Sequence, residues 1–133
     1  MKNYRVPTLT IAGSDSSGGA GVQADLKTFS AIGTYGMSVI TAITAQNTQG
    51  VFLVEELSED IIRKQIEVVF EDIEPKAVKI GMVSSSRIVE VIVESLAHYN
   101  PKYLIVDPVM ISKSGYSLLR PEAKENLIKY LIP

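Results

Sequence analysis

Thr10-Ile-Ala-Gly-Ser-Asp-Ser-Ser-Gly-Gly-Ala-Gly-Val-Gln-Ala-Asp-Leu-Lys-Thr-Phe29 changes character twice along its length. The apolar run Leu9 to Ala12 stops at Gly13 and reads as a buried strand. From Gly19 to about Ile32 the apolar residues Val22, Leu26, Phe29 and Ala31 supply one side of a helix, and Gly33 supplies its stop. Between the two lies a turn with glycine at 18, 19 and 21. Strand, glycine-rich turn and helix in that order open a βα unit.

The turn is not Gly-x-Gly-x-x-Gly, so it carries no dinucleotide fingerprint. Gly13 and Gly18 have the four-residue gap of a P-loop, but Gly19-Ala20 stands where Lys and Ser or Thr belong. Two readings remain. Missing side chains let backbone approach a ligand, or they let a helix pack tightly on its sheet. Gly18, Gly21 and Asp25 fall at helical spacings and can share one side. Asp25 is then either an acceptor for a flat amino-bearing ring or one surface carboxylate among others.

Working outward, the alternation continues. Met37 to Ala45, with Val39, Ile40, Thr41, Ile43 and Thr44, is a second strand. Val51 to Val54 is a further short strand that the pattern does not tie to the main sheet. Ser58 is a good N-cap for a helix in which Ile61, Ile62, Gln65, Ile66, Val69 and Phe70 recur at helical spacing. Ala77 to Ile80 is a strand stopped by Gly81, Ser84 to Tyr99 a helix, and Tyr103 to Val106 a strand ended by Asp107-Pro108. A last helix is expected from Pro121. The expectation is an α/β fold, a mainly parallel sheet flanked by helices. At Leu131-Ile132-Pro133 the pattern calls for another strand, so the fold is expected to be truncated on its C-terminal side, leaving a sheet edge and apolar surface exposed.

Composition narrows the function classes. The 133 residues carry 13 basic and 15 acidic side chains, scattered, for a net charge of −2, which leaves no footprint for a nucleic acid. The absence of cysteine excludes disulfides and thiolate metal sites. No apolar run approaches the roughly 18 residues of a membrane helix, and the start resembles no secretory signal, so no membrane partner and a cytoplasmic location are expected.

In open α/β sheets ligands gather outside the carboxyl ends of the strands. Those ends supply the glycine turn, Gln46-Asn47-Thr48, Gly81-Met82 and Asp107-Pro108-Val109-Met110. Gln46 offers a donor and an acceptor to a heterocycle, or else closes a turn. Asp107 holds Mg2+ or its water, or else forms an Asp-Pro turn. Lys113-Ser114-Gly115 is a polar loop or a lid over phosphates.

Taken together, Thr10 to Phe29, Thr44-Ala-Gln-Asn-Thr48, Lys79-Ile-Gly-Met82 and Val106-Asp-Pro-Val-Met110 closely resemble hydroxymethylpyrimidine/phosphomethylpyrimidine kinases, in the family's order and spacing. The resemblance implies a ribokinase-like fold, with residues 1–133 as the N-terminal half of a single kinase domain. It implies use of ATP and Mg2+ to phosphorylate 4-amino-5-hydroxymethyl-2-methylpyrimidine, then its monophosphate, in thiamine biosynthesis. By the same resemblance Gly13, Ala20, Asp25, Gln46, Met82 and Val109 bind this small-molecule pyrimidine, and Asp107 lies near the nucleotide phosphates and the metal. A homodimer is compatible with it. Family members also carry a Gly-Thr-Gly-Cys anion hole and a Lys-Gly-Gly nucleotide segment, and neither occurs here. No catalytic residue is therefore expected in this chain, and the segment alone is expected to be inactive. Two rival readings are a pyridoxal/pyridoxine kinase and a non-catalytic pyrimidine-binding half-kinase.

Overall fold

The structure, a computed structural model, describes residues 5–107. The elements run β1 (Pro7–Asp15), α1 (Gly21–Ala31), β2 (Tyr35–Asn47), β3 (Gly50–Glu56), α2 (Glu59–Asp72), β4 (Ala77–Ile80), α3 (Ser86–Tyr99) and β5 (Tyr103–Val106). Val109, Met110, Lys113-Ser114-Gly115 and the helix expected from Pro121 lie outside the described residues.

The five strands form one sheet in the order β3-β2-β1-β4-β5. Neighbours are parallel except β3, which returns antiparallel along β2. β3 therefore belongs to the main sheet, as one of its edges. Its connection explains why: only two residues separate it from β2, enough for a hairpin and far too few for a parallel crossover.

Alternation along β1 and β4 sorts their side chains onto two faces. Leu9 and Ile11 join Val39, Val78 and Ile80 in a core that α2 closes with Ile62, Ile66 and Phe70, and α3 with Ile88, Val89, Val91, Ile92 and Leu96. Phe70 and Tyr99 stack at 4.6 Å where these helices meet. The other face carries Thr8, Thr10 and Lys79 and lies under α1. Of the apolar side expected for α1, Val22 is buried, Leu26 and Phe29 are half-buried and Ala31 is exposed. α1 thus covers a polar strip.

Caps were mostly legible. The Ser58 hydroxyl accepts from Ile61 N at 3.4 Å. α3 starts at Ser86, two residues after the start expected at Ser84, because Ser85 is the residue whose hydroxyl caps it, at 3.3 Å from Ile88 N. Gly33, at φ 85°, ends α1 with Gly33 N donating to Ser30 O and Thr34 N to Phe29 O. Gln65, read as part of the apolar stripe, bonds both backbone groups of Ile40 at 2.9 Å. β3 begins to pair only at Ala42, so this stretch of β2 has a free edge that the Gln65 amide satisfies. At the opposite edge of the described sheet, β5 leaves Tyr103, Leu104 and Ile105 exposed.

Candidate functional site

The carboxyl ends of β1, β2 and β4 surround a cavity of about 80 Å3. Gly13, Ala20, Gln46 and Met82 line it, as the sequence anticipates, and so do Asp15, Thr44 and Lys79, which it did not single out. Small-molecule sites usually span about 300–1,000 Å3, so these residues form one wall of such a site. A larger hollow of about 310 Å3 lies between the starts of α2 and α3. It is an acidic groove crossed by the Arg87–Glu59 ion pair at 2.5 Å, and none of the sequence motifs reaches it.

The shape of the wall depends on two glycines. A Cβ at Gly13 would collide with the Met82 thioether, so the missing side chain lets Met82 lie across β1. Thr41 holds the backbone there, its buried hydroxyl donating to Met82 O at 3.1 Å. Gly21 has φ 59°, and a Cβ on it would collide with the Gly13 carbonyl. The two ends of the turn therefore touch backbone to backbone.

Gly18 lies outside α1, which begins at Gly21 rather than Gly19, so Gly18 does not share a helix face with Asp25. Asp15 is the reason. Its buried carboxylate accepts from Ser17 N at 2.9 Å, the Ser17 hydroxyl at 2.7 Å and Gly19 N at 3.0 Å. These bonds curl the chain into a turn before the helix can start. They also occupy the amides that a phosphate would use, which favours the tight-turn reading for this part of the loop. Gln23 ties the turn to the helix, accepting from Asp15 N at 2.8 Å and donating to Ser14 Oγ at 2.6 Å. Ser16 ties it to β2, donating to Gln46 O at 2.6 Å and accepting from Gln46 N at 2.9 Å.

Burial pushes the Asp15 carboxyl up, and the bonds from Ser17, Ala20 and Gly19 outweigh it, holding it below its ordinary value of 3.8. A depressed folded-state value means stabilisation that is complete above 3.8 and is lost as pH falls below it. The melting-temperature gap between wild type and Asp15→Asn is thus expected to be widest near neutrality and to shrink below 3.8. Thermal melts across an acid series check this; a gap that widens in acid would refute it.

Gln46 is half-buried, with Oε1 3.0 Å from the Thr44 hydroxyl, whose single proton is shared with Ser14 O at 2.5 Å. Asp25 is no surface carboxylate: its side chain is 14% exposed. Oδ2 accepts from the Thr10 hydroxyl at 2.6 Å and Oδ1 from Lys79 Nζ at 2.7 Å. It does not itself line the cavity; Lys79 does. Asp107 is mostly exposed, with Oδ2 4.0 Å from Lys79 Nζ. Among the described residues no group of three His, Cys, Asp or Glu side chains comes together for a metal. The single Asp107 carboxylate suits Mg2+, which takes one or two carboxylates with waters and substrate phosphates. The signal that would have exposed Lys79 is a charge inside the otherwise apolar strand Ala-Val-Lys-Ile.

Comparison with known proteins bears on the family and the fold. Residues 15–133 match the family model described as phosphomethylpyrimidine kinase. The hydroxymethylpyrimidine/phosphomethylpyrimidine kinase of Rhizobium meliloti is 58% identical over 125 residues, 94% of this chain and 47% of that protein. The crystal structure of phosphomethylpyrimidine kinase from Clostridium difficile superposes with a TM-score of 0.91 at 81% identity, over 97% of this chain and 56% of that one. The pyridoxal kinase from Staphylococcus aureus, in complex with pyridoxal, gives 0.86 at 41% identity, over 98% and 47%. The chain spans about half the length of the curated relatives it matches. With its ribokinase-like α/β sheet and with its motifs converging at the carboxyl ends of the strands, the chain belongs to the phosphomethylpyrimidine kinase family.

Proposed function

We propose that residues 1–133 are the N-terminal half of a single ribokinase-like kinase domain, and that the full-length protein phosphorylates 4-amino-5-hydroxymethyl-2-methylpyrimidine and then its monophosphate with ATP, in thiamine biosynthesis. The observation that carries this is the convergence of Gly13, Ala20, Gln46 and Met82 on one cavity. In this reading Gly13, Ala20 and Met82 give the ring a close-fitting wall, and Val109 adds apolar contact. Gln46 meets the ring edge with an acceptor and a donor, and Asp25 supplies the charge that favours an amino-bearing ring. Asp107 would hold Mg2+, which when bound neutralises charge on the nucleotide phosphates. Phosphoryl transfer itself belongs to the Gly-Thr-Gly-Cys and Lys-Gly-Gly segments that the family carries beyond these residues. The setting is the cytoplasm.

A second reading, a pyridoxal kinase, is favoured by the likeness to the Staphylococcus aureus enzyme in complex with pyridoxal. Mass spectrometry of the full-length protein incubated with ATP, Mg2+ and each substrate decides. The expected result is mono- and then diphosphorylated pyrimidine, formed with higher kcat/KM than pyridoxal phosphate. Turnover of pyridoxal alone would establish the second reading, and no product from either substrate would leave a binding protein.

A further inference from the structure

Lys79 is placed where a lysine is costly. It sits in β4, in register with Thr10 of β1, between the fully buried Val78 and Ile80. With its side chain 25% exposed, the ammonium is partly desolvated and gains from a counter-charge. Asp25 provides it at 2.7 Å, and the Thr10 hydroxyl holds the other carboxylate oxygen at 2.6 Å. The two bonds, one to each oxygen, orient the carboxylate toward the ammonium.

An ammonium has three protons. One is spent on Asp25, and Asp107, at 4.0 Å, is an ion-pair neighbour beyond hydrogen-bonding distance. Lys79 itself lines the cavity, its Nζ lying 3.7 Å from where a Gly81 Cβ would stand, whereas Asp25 lies behind it. The cationic donor in the wall is thus Lys79, held from behind by the residue to which the family resemblance points.

We propose that Lys79 is a substrate-facing specificity residue. Its ammonium donates to a ring nitrogen of the aminopyrimidine, and the Thr10–Asp25 pair is the strut that positions it. A ring nitrogen is favoured over a phosphate because Asp25, at 2.7 Å, already balances the Lys79 charge, and a neutral acceptor needs only one of its remaining protons. This rests on the functional reading above and adds a named donor to it.

The test pairs protein and ligand changes in the full-length protein. Hydroxymethylpyrimidine and two analogues, each with one ring nitrogen replaced by C–H, are titrated calorimetrically into wild type, Lys79→Met and Lys79→Gln, with folding checked by thermal melts. A charge-assisted bond predicts about ten- to hundredfold weaker binding of the parent pyrimidine by either variant. For one analogue the penalty is expected to vanish, because its bond is already gone. An equal loss for all three ligands would make Lys79 a structural residue only, and no loss for any would remove it from the site. A wild type that binds no aminopyrimidine would instead overturn the functional reading, and this inference with it.

Discussion

Gly21→Ala is expected to destabilise the protein by about 2–4 kcal/mol, combining the cost of a left-handed backbone with that of an overpacked contact. Gly21 holds φ 59°, and the added methyl meets two backbone groups, the Gly13 carbonyl and, at 3.2 Å, Asp15 N. Backbone cannot swing aside as a flexible side chain does. The Ser14–Gly21 bridge must open, and with it the wall that Gly13 and Ala20 form. Gly19→Ala is the control, because its Cβ would meet only Asp15 Oδ2 at 3.8 Å and its φ is not left-handed. That change is expected to stay within about 0.5 kcal/mol. Denaturant midpoints for the two full-length variants measure the contrast, and equal midpoints would mean that the turn is not held as described.

Asp25→Asn is expected to weaken pyrimidine binding about ten- to hundredfold while leaving ATP-analogue affinity within about twofold. Asn has one carbonyl oxygen where Asp25 has two carboxylate oxygens serving two donors, Thr10 and Lys79. Whichever donor keeps the oxygen, the other faces an amide NH2 group, and Lys79 loses its nearest counter-charge. Calorimetric titration of each ligand separates the two affinities. Pyrimidine affinity within twofold of wild type, in a folded variant, would remove Asp25 from recognition.

Local signals were strong wherever one face or one cap decided the outcome. Leu9 and Ile11, Ile62 and Ile66, and Ile88 and Ile92 are buried because their periods match a strand and two helices. Ser58 and Gly33 act where placed, since a cap needs only neighbours within one turn. α1 starts two residues after Gly19, the start that spacing predicts, because Asp15, before the glycines, binds the amides after them. Helical spacing contains no record of that competition.

The sequence by itself determined the alternation of strands and helices, the family, and four residues that do share a cavity wall. Each rests on short-range pattern or on a motif that sits at a strand end. Only the tertiary structure decided the strand order, the place of β3 at the sheet edge, and the Thr10–Asp25–Lys79 chain. Lys79 and Asp25 are 54 positions apart, and although a lysine inside an apolar strand is unusual, nothing in either segment names the other as its partner. They meet because β4 pairs with β1 beneath α1, and a partly buried charge is stabilised there by a partner that arrives from another element.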